Sequence, residues 1–310
     1  MKRLLWIALA LAGAFALLGW LRPQWMLSAW LRTQAWAAGA SVHTLEVEGW
    51  RWRYLEAGAG ARTLVLLHGF TGMKENWLPL LPYLSQRYRI LVPDLLHTNP
   101  AQRRADMDLG YAAQAARLNA FIGGLADGPV VIVGHSMGGG IAAVYAAEHT
   151  DRVDALVLVA AGGVRFADNE FALAVLRGEN PFAVSDRDSL DRYLRTVFID
   201  PPATPWPFDR ALIKSRLRDA GFEQRMLDAI GRGPDAFVPG ERADDIEAPT
   251  LLLWCREDRV VDRSAAALYA ERIPGSEIRT LDGCNHMPMA EQPEATAAAI
   301  EAFLTEHPPH

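Results

Sequence analysis

Cysteine is nearly missing: Cys255 and Cys284 are the only two in 310 residues. That excludes a disulfide-dense scaffold, and there is no CxxC pair or Cys/His metal spacing. Internal repeats are absent, and so is low-complexity sequence beyond the N-terminal segment. No basic excess exists either: 31 Lys and Arg stand against 37 Asp and Glu, a net charge of −6. A general nucleic-acid binder needs a basic face, so nucleic acid is not an expected partner. Acidic side chains are missing from the first 45 residues, where Lys2, Arg3, Arg22 and Arg32 meet no acid before Glu46. A basic end on an acidic body is the pattern of a membrane-facing N-terminus.

What is present fits a folded chain. Half the residues are hydrophobic and 22% are charged, which argues against disorder. The length suits two domains, or one large α/β domain with an insertion.

Leu4 to Leu21 is a run of 18 residues without a charge. As a helix it measures roughly 27 Å, close to the thickness of a hydrocarbon core. Residues 1–22 are therefore expected to be a transmembrane anchor. A cleaved signal peptide is the rival, with Ala35-Trp36-Ala37 in the form of a cleavage site. That site lies 14 residues past Leu21, and the apolar run exceeds an ordinary signal. A buried soluble helix is the third reading. Lys2 and Arg3 favour a cytoplasmic N-end, with Arg22 and Arg32 opposing. The expected location is a bacterial inner membrane with the body on the periplasmic side.

Five of the ten tryptophans, Trp6, Trp20, Trp25, Trp30 and Trp36, fall in the first 36 residues. Indoles favour the headgroup layer, so residues 23–41 are expected to form a juxtamembrane amphipathic helix. Packing of that helix on the globular body is the alternative. Ala8, Ala12 and Ala16 repeat at four-residue intervals. Such a face allows close helix approach in lipid, and hence a homodimer through the N-terminal helix.

From Val42 the pattern changes. Leu64–Leu67, Ile90–Val92, Val130–Val133, Leu156–Val159 and Leu251–Trp254 are short apolar runs. They suit parallel strands buried on both faces. Helical stretches at Tyr111–Leu125, Ile141–His149, Ser264–Arg272 and Glu294–Phe303 alternate with most of them. The alternation predicts a doubly wound, mostly parallel α/β sheet over 42–163 and 247–310. An antiparallel pair, Thr44–Glu48 with Trp52–Glu56, is expected to begin it. Residues 164–246 break the pattern and hold seven of the 19 prolines. They read as a helical lid inserted over the C-terminal sheet edge.

The chemistry concentrates at Gly134-His135-Ser136-Met137-Gly138, placed after a strand and at the start of a helix. In that context G-x-S-x-G marks a nucleophilic serine on a strained turn. Leu67-His68-Gly69-Phe70 also follows a strand. It suits an oxyanion loop, with the Phe70 and Met137 amides as donors. His68 is expected to orient this loop rather than act as base. A serine needs a base, and the base an acid; where G-x-S-x-G forms such a strand-to-helix elbow, they follow the serine in the order acid, then histidine. Asp258 and His286 both lie just past predicted strands, the second being Glu277–Leu281. Of the other histidines, His307 and His310 are in the tail, His43 precedes the sheet, and His149 ends a helix. His97 is a weak contender, and His135 is expected to point away from the serine. Glu257 and Asp262 compete with Asp258, with Asp262 better suited to cap a helix.

Together these residues resemble the α/β-hydrolase superfamily, and within it membrane-anchored lipases of the monoacylglycerol lipase and phospholipase A kind. The carrying segments are His68–Trp77, Gly134–Gly139, Trp254–Asp258 and Asn285–Pro293. The resemblance implies an α/β-hydrolase fold over about residues 44–306 and acyl-ester hydrolysis by Ser136, His286 and Asp258. No metal or organic cofactor is expected. Pro93–Asn99 lacks the glycine-rich turn usual in relatives, and Cys255 and Asn285 stand where glycine is common. The two cysteines are expected on neighbouring strands as reduced buried thiols, with a disulfide as the alternative in an oxidising compartment. Lysophospholipid, phospholipid or monoacylglycerol is the expected substrate, met at a membrane. The rivals are a carbon–carbon bond hydrolase or other small-molecule hydrolase on this scaffold, and a non-catalytic, membrane-tethered lipid-binding protein.

Overall fold

The computed structural model describes residues 1–309, without the side chains of Ala8, Ala10, Leu11, Ala12 and His97. The side chains of Ala8 and Ala12, two of the three in the alanine stripe, and of the contender His97 therefore lie outside the described residues, as does the tail residue His310. Two helices lead the chain, α1 (Lys2–Leu21) and α2 (Pro23–Ala37), separated at Arg22, where Pro23 cannot continue the hydrogen-bond ladder. Then follow β1 (Ala40–Val47), β2 (Trp50–Ala57), β3 (Thr63–Leu67), α3 (Leu81–Leu84), β4 (Arg89–Pro93), α4 (Tyr111–Gly123), β5 (Val130–His135), α5 (Met137–Glu148) and β6 (Val153–Val159). An insertion carries α6 (Glu170–Leu176), α7 (Arg187–Val197), α8 (Phe208–Arg232) and α9 (Val238–Glu241). The chain closes with β7 (Thr250–Cys255), α10 (Ser264–Ala270), β8 (Glu277–Leu281), α11 (Pro288–Glu291) and α12 (Pro293–Glu306).

The eight strands form one sheet in the order β1-β2-β4-β3-β5-β6-β7-β8. β1 pairs with β2, and β2 with β4, antiparallel; the other pairings are parallel. Glu48 and Gly49 both take positive φ in the two-residue turn between β1 and β2, the geometry that matches strand twist in a tight hairpin. β5 and β7 are buried along their whole length, because helices cover both faces of the sheet. This is the mostly parallel, doubly wound sheet expected from the alternating pattern, in the arrangement the resemblance implies.

From β3 the chain steps outward to β4 on one side and returns to β5 on the other. That reversal opens a crevice beyond the C-terminal ends of β3 and β5, where doubly wound sheets place their ligands. The insertion between β6 and β7 lies in the region expected, and most of it is helical.

The transmembrane reading of the N-terminus gains no support from the described residues. Among the described residues no helix is long and apolar enough to cross a membrane. The α1 helix nevertheless runs unbroken over 20 residues, with Leu4, Leu5, Trp6, Ile7 and Leu9 exposed. Its far end leans on the insertion: Phe15 meets Trp206 edge-on at 6.1 Å, and Arg210 stacks over Trp20 at 4.1 Å. The α2 helix packs on α8 and β1, burying Ala35 and setting Trp30 against Phe208. Trp25 and Trp36 remain 66% and 82% exposed. One face of α2 thus serves the body, and the Trp25 and Trp36 indoles face outward.

Candidate active site

Ser136 sits between the last residue of β5 and the first of α5, at φ 53° and ψ −119°. A side chain held at positive φ costs about 1–3 kcal/mol and persists only where surroundings enforce it. Here the Ser136 carbonyl accepts from Gly139, Gly140 and Gly162 amides at 2.9, 3.2 and 3.0 Å. The Tyr269 hydroxyl in turn donates to the Gly162 carbonyl at 2.7 Å. The glycines are needed for room: a Cβ on Gly134 would lie 2.4 Å from the Gly138 carbonyl oxygen. The helix begins at Met137, four residues earlier than the apolar pattern marks, because the triple glycine conceals it.

The loop after β3 comes close to this turn. A Cβ on Gly69 would stand 2.9 Å from the Ser136 Cβ, so the Phe70 backbone runs beside the serine. Met137 is the first residue of α5, and its amide has no acceptor within the helix. Phe70, Ser136 and Met137 all line one cavity of about 720 Å³, counted with its open mouth. Its walls are otherwise mostly apolar, with Phe166, Phe171, Val175, Phe182 and Leu227 from the insertion and Arg165 at the rim.

His68 braces the loop after β3. Its Nδ1 bonds the Gly69 carbonyl at 2.9 Å and its Nε2 accepts from the Leu95 amide at 3.0 Å. One nitrogen donates and the other accepts, so the ring is neutral. Burial pushes its pKa below the ordinary value. Lys74 adds a second brace, joining Asp94 and Glu75 at 2.8 Å each. Its burial opposes the charge, but the two carboxylates outweigh it and raise its pKa. The loop after β4 that lacks glycine is thus held by His68 and Lys74.

Asp258 and His286 meet at the neighbouring edge. His286 Nδ1 lies 3.0 and 3.2 Å from the two carboxylate oxygens. Asp258 Oδ1 also accepts from the Val260 and Val261 amides, which fixes the carboxylate. The Nε2 of His286 is buried with no hydrogen-bond partner among the described residues. Glu257 is outside this arrangement, and Asp262 accepts from the Ser264 amide at the start of α10.

Four features escaped the sequence. His135 has a partner: its Nε2 donates to the His286 carbonyl at 2.7 Å, and the two rings lie 4.7 Å apart. Burial, with His286 close by, holds its pKa well below the ordinary value. Asn285, where glycine was noted as common, bridges Arg259 N and the Thr196 carbonyl of α7 at 2.9 and 2.8 Å. Tyr269 supports Gly162, as described. Cys255 and Cys284 are joined as a disulfide, with Cα atoms 5.4 Å apart. This corrects the expectation of reduced thiols: β7 and β8 are adjacent, with Cys255 opposite Leu281, so the chain beyond each strand brings the sulfurs together. Only the adjacency was readable beforehand.

Among the described residues no group of His, Cys, Asp or Glu has metal-site geometry. Comparison with known proteins follows the geometry. The model of the alpha/beta hydrolase family matches residues 64–299. The solved structure of a membrane phospholipase A, described as a novel bacterial virulence factor, superposes with a TM-score of 0.87 at 31% identity, covering 99% of both chains. Human monoacylglycerol lipase ABHD6 is 27% identical over 89% of this chain and 84% of its own. Lipase 3 of Moraxella sp. (strain TA144) is 29% identical over 77% and 76%.

Proposed function

Given that the chain belongs to the alpha/beta hydrolase family, we propose that it is a membrane-associated carboxylic ester hydrolase acting on lipids. The substrate class is a lysophospholipid, phospholipid or monoacylglycerol. One observation carries the reading: a strained serine opens into a largely apolar cavity, and its chain neighbour His135 touches the His286 of a buried Asp–His pair. An acyl chain fits such a cavity without leaving a polar group unpaired. The names of the similar lipases and of the phospholipase A support the same chemistry.

In this mechanism Ser136 Oγ attacks the ester carbonyl while His286 Nε2 accepts its proton. Asp258 fixes the ring with Nδ1 protonated and stabilises the imidazolium. The Phe70 and Met137 amides bind the developing oxyanion, each donor contributing about 3 kcal/mol. Collapse of the intermediate expels the alcohol, which leaves with the proton from His286. Water, deprotonated by His286, then attacks the acyl-serine, and the fatty acid departs. No resident metal or organic cofactor takes part.

The insertion over residues 164–246 acts as the lid that lines the acyl cavity. The α1 and α2 helices bring the body to a membrane, where esters are concentrated near the site. The disulfide favours the oxidising, extracytoplasmic side, in line with a periplasmic location at a bacterial inner membrane. Pairing of two chains through the N-terminal helix belongs to the same reading. Sizing the full chain in detergent against a chain lacking 2–22 tests it.

The function is tested with p-nitrophenyl esters of rising chain length, monoacylglycerol, lysophospholipid and phospholipid, for the wild type and Ser136→Ala. Turnover of at least one lipid by the wild type alone is expected. Equal rates in the two proteins would refute the assignment, and turnover of a vinylogous diketone but of no ester would favour carbon–carbon hydrolysis.

A further inference from the structure

The disulfide crosses between the two segments that carry the acid and the base. Cys255 is the last residue of β7, three positions before Asp258. Cys284 follows β8 and stands two positions before His286. The last backbone bond between the two segments is Arg256 N to the Leu281 carbonyl, at 2.8 Å. Beyond it the two chains leave the ladder, and nothing in sheet geometry fixes their separation. Three side-chain links do so instead. One is the exposed Arg256–Asp282 ion pair, and the others are the buried disulfide and Asn285 Oδ1 accepting from Arg259 N at 2.9 Å. The Asp258–His286 contact at 3.0 Å lies between the last two.

We infer that the Cys255–Cys284 disulfide is a positioning pair for the reaction, holding the acid and base loops at the separation their hydrogen bond requires. The inference rests on the hydrolase reading above. Reduction adds two electrons and two protons, and gives two thiols that no longer share a bond. Their sulfurs then move from bonding distance to van der Waals contact, a separation of roughly 1.5 Å more. Both are fully buried, so the displacement passes into the short connections to Asp258 and His286. Val197, through its carbonyl to the His286 amide, and Thr196, through its carbonyl to Asn285, hold the base loop from the other side. The strain of separation therefore falls on the dyad. A misplacement on the order of 1 Å costs about a hundredfold in rate. The acyl cavity is lined by neither cysteine, so substrate binding is untouched.

The test uses the full chain in detergent with p-nitrophenyl butyrate at 25 °C. Three forms are compared with the oxidised wild type: wild type reduced by a phosphine, which becomes the phosphine oxide, and the double variants C255S/C284S and C255A/C284A. Far-UV circular dichroism establishes which are folded. The expected result is a fall in kcat of at least tenfold with KM within twofold. Labelling of Ser136 by a fluorophosphonate slows in parallel, and reoxidation of the reduced wild type restores both. A folded form lacking the disulfide with kcat within twofold of wild type overturns the inference. So does loss of the folded signal in all three forms, which would assign the bond to stability alone. If the oxidised wild type hydrolyses no ester, the hydrolase reading fails instead.

Discussion

Gly138→Ala probes the spacing on which the oxyanion site depends. An added Cβ would stand 2.6 Å from the carbonyl oxygens of both Leu67 and His68, and 2.9 Å from the Leu67 carbonyl carbon. Those atoms are backbone and must retreat by roughly 0.6–0.8 Å to reach ordinary contact. The α5 helix is buried from Met137 to Ala147 and cannot yield. The loop after β3 yields instead, and carries the Phe70 amide away from Met137. A donor bond of about 2.9 Å stretched by that amount is lost. Losing one oxyanion donor costs about 10²- to 10³-fold in kcat. Overpacking itself costs about 1–3 kcal/mol of stability. The control is Gly123→Ala at the end of α4, where an added Cβ meets nothing within 4 Å. It is expected to leave kcat unchanged. Steady-state hydrolysis of p-nitrophenyl butyrate, with thermal melts to confirm folding, provides the assay. A folded Gly138→Ala protein with kcat within threefold of wild type would refute the reasoning.

Other expectations follow from the same contacts. Asp258→Asn keeps the shape but cannot hold His286 with Nδ1 protonated, and kcat should fall about 10⁴-fold; ester hydrolysis at fixed pH checks this. His68 and His135 are both held below the ordinary histidine pKa by burial. The unfolded chain takes up two protons below about pH 6.5 that the native state refuses, so stability falls with pH there by up to about 2.7 kcal/mol per unit. Urea midpoints at pH 7.5 and 5.5, for wild type and His68→Gln, measure that slope. Tyr269→Phe frees the Gly162 carbonyl and should cost about 1–3 kcal/mol, read from the melting temperature. Removing residues 2–22 should lower the share of the protein that sediments with membranes, compared with the full chain.

Much of the fold could be read from local pattern, because buried parallel strands are unbroken apolar runs and the elbow glycines are required by steric crowding. The meeting of Asp258 with His286 was legible for a related reason: each follows a strand at one sheet edge, as Ser136 does. What escaped depended on tertiary neighbours. The His135 ring serves the base because β5 lies beside the loop of His286, a contact between residues 151 positions apart. Asn285 reads as a departure until Thr196 of the insertion is placed against it. The disulfide was misjudged on the general scarcity of such bonds, although the strand order brought its two halves together. For α1, the apolar run and its flanking charges point to a membrane, but they do not show that Phe15 and Trp20 also pack on the insertion.

Mass spectrometry of the intact, oxidised chain after exposure to a fluorophosphonate tests the central claim most directly. A single adduct is predicted, mapped by digestion to Ser136, with lipid hydrolysis lost in proportion to its formation. Full labelling at another residue, or undiminished hydrolysis once Ser136 is modified, would contradict it.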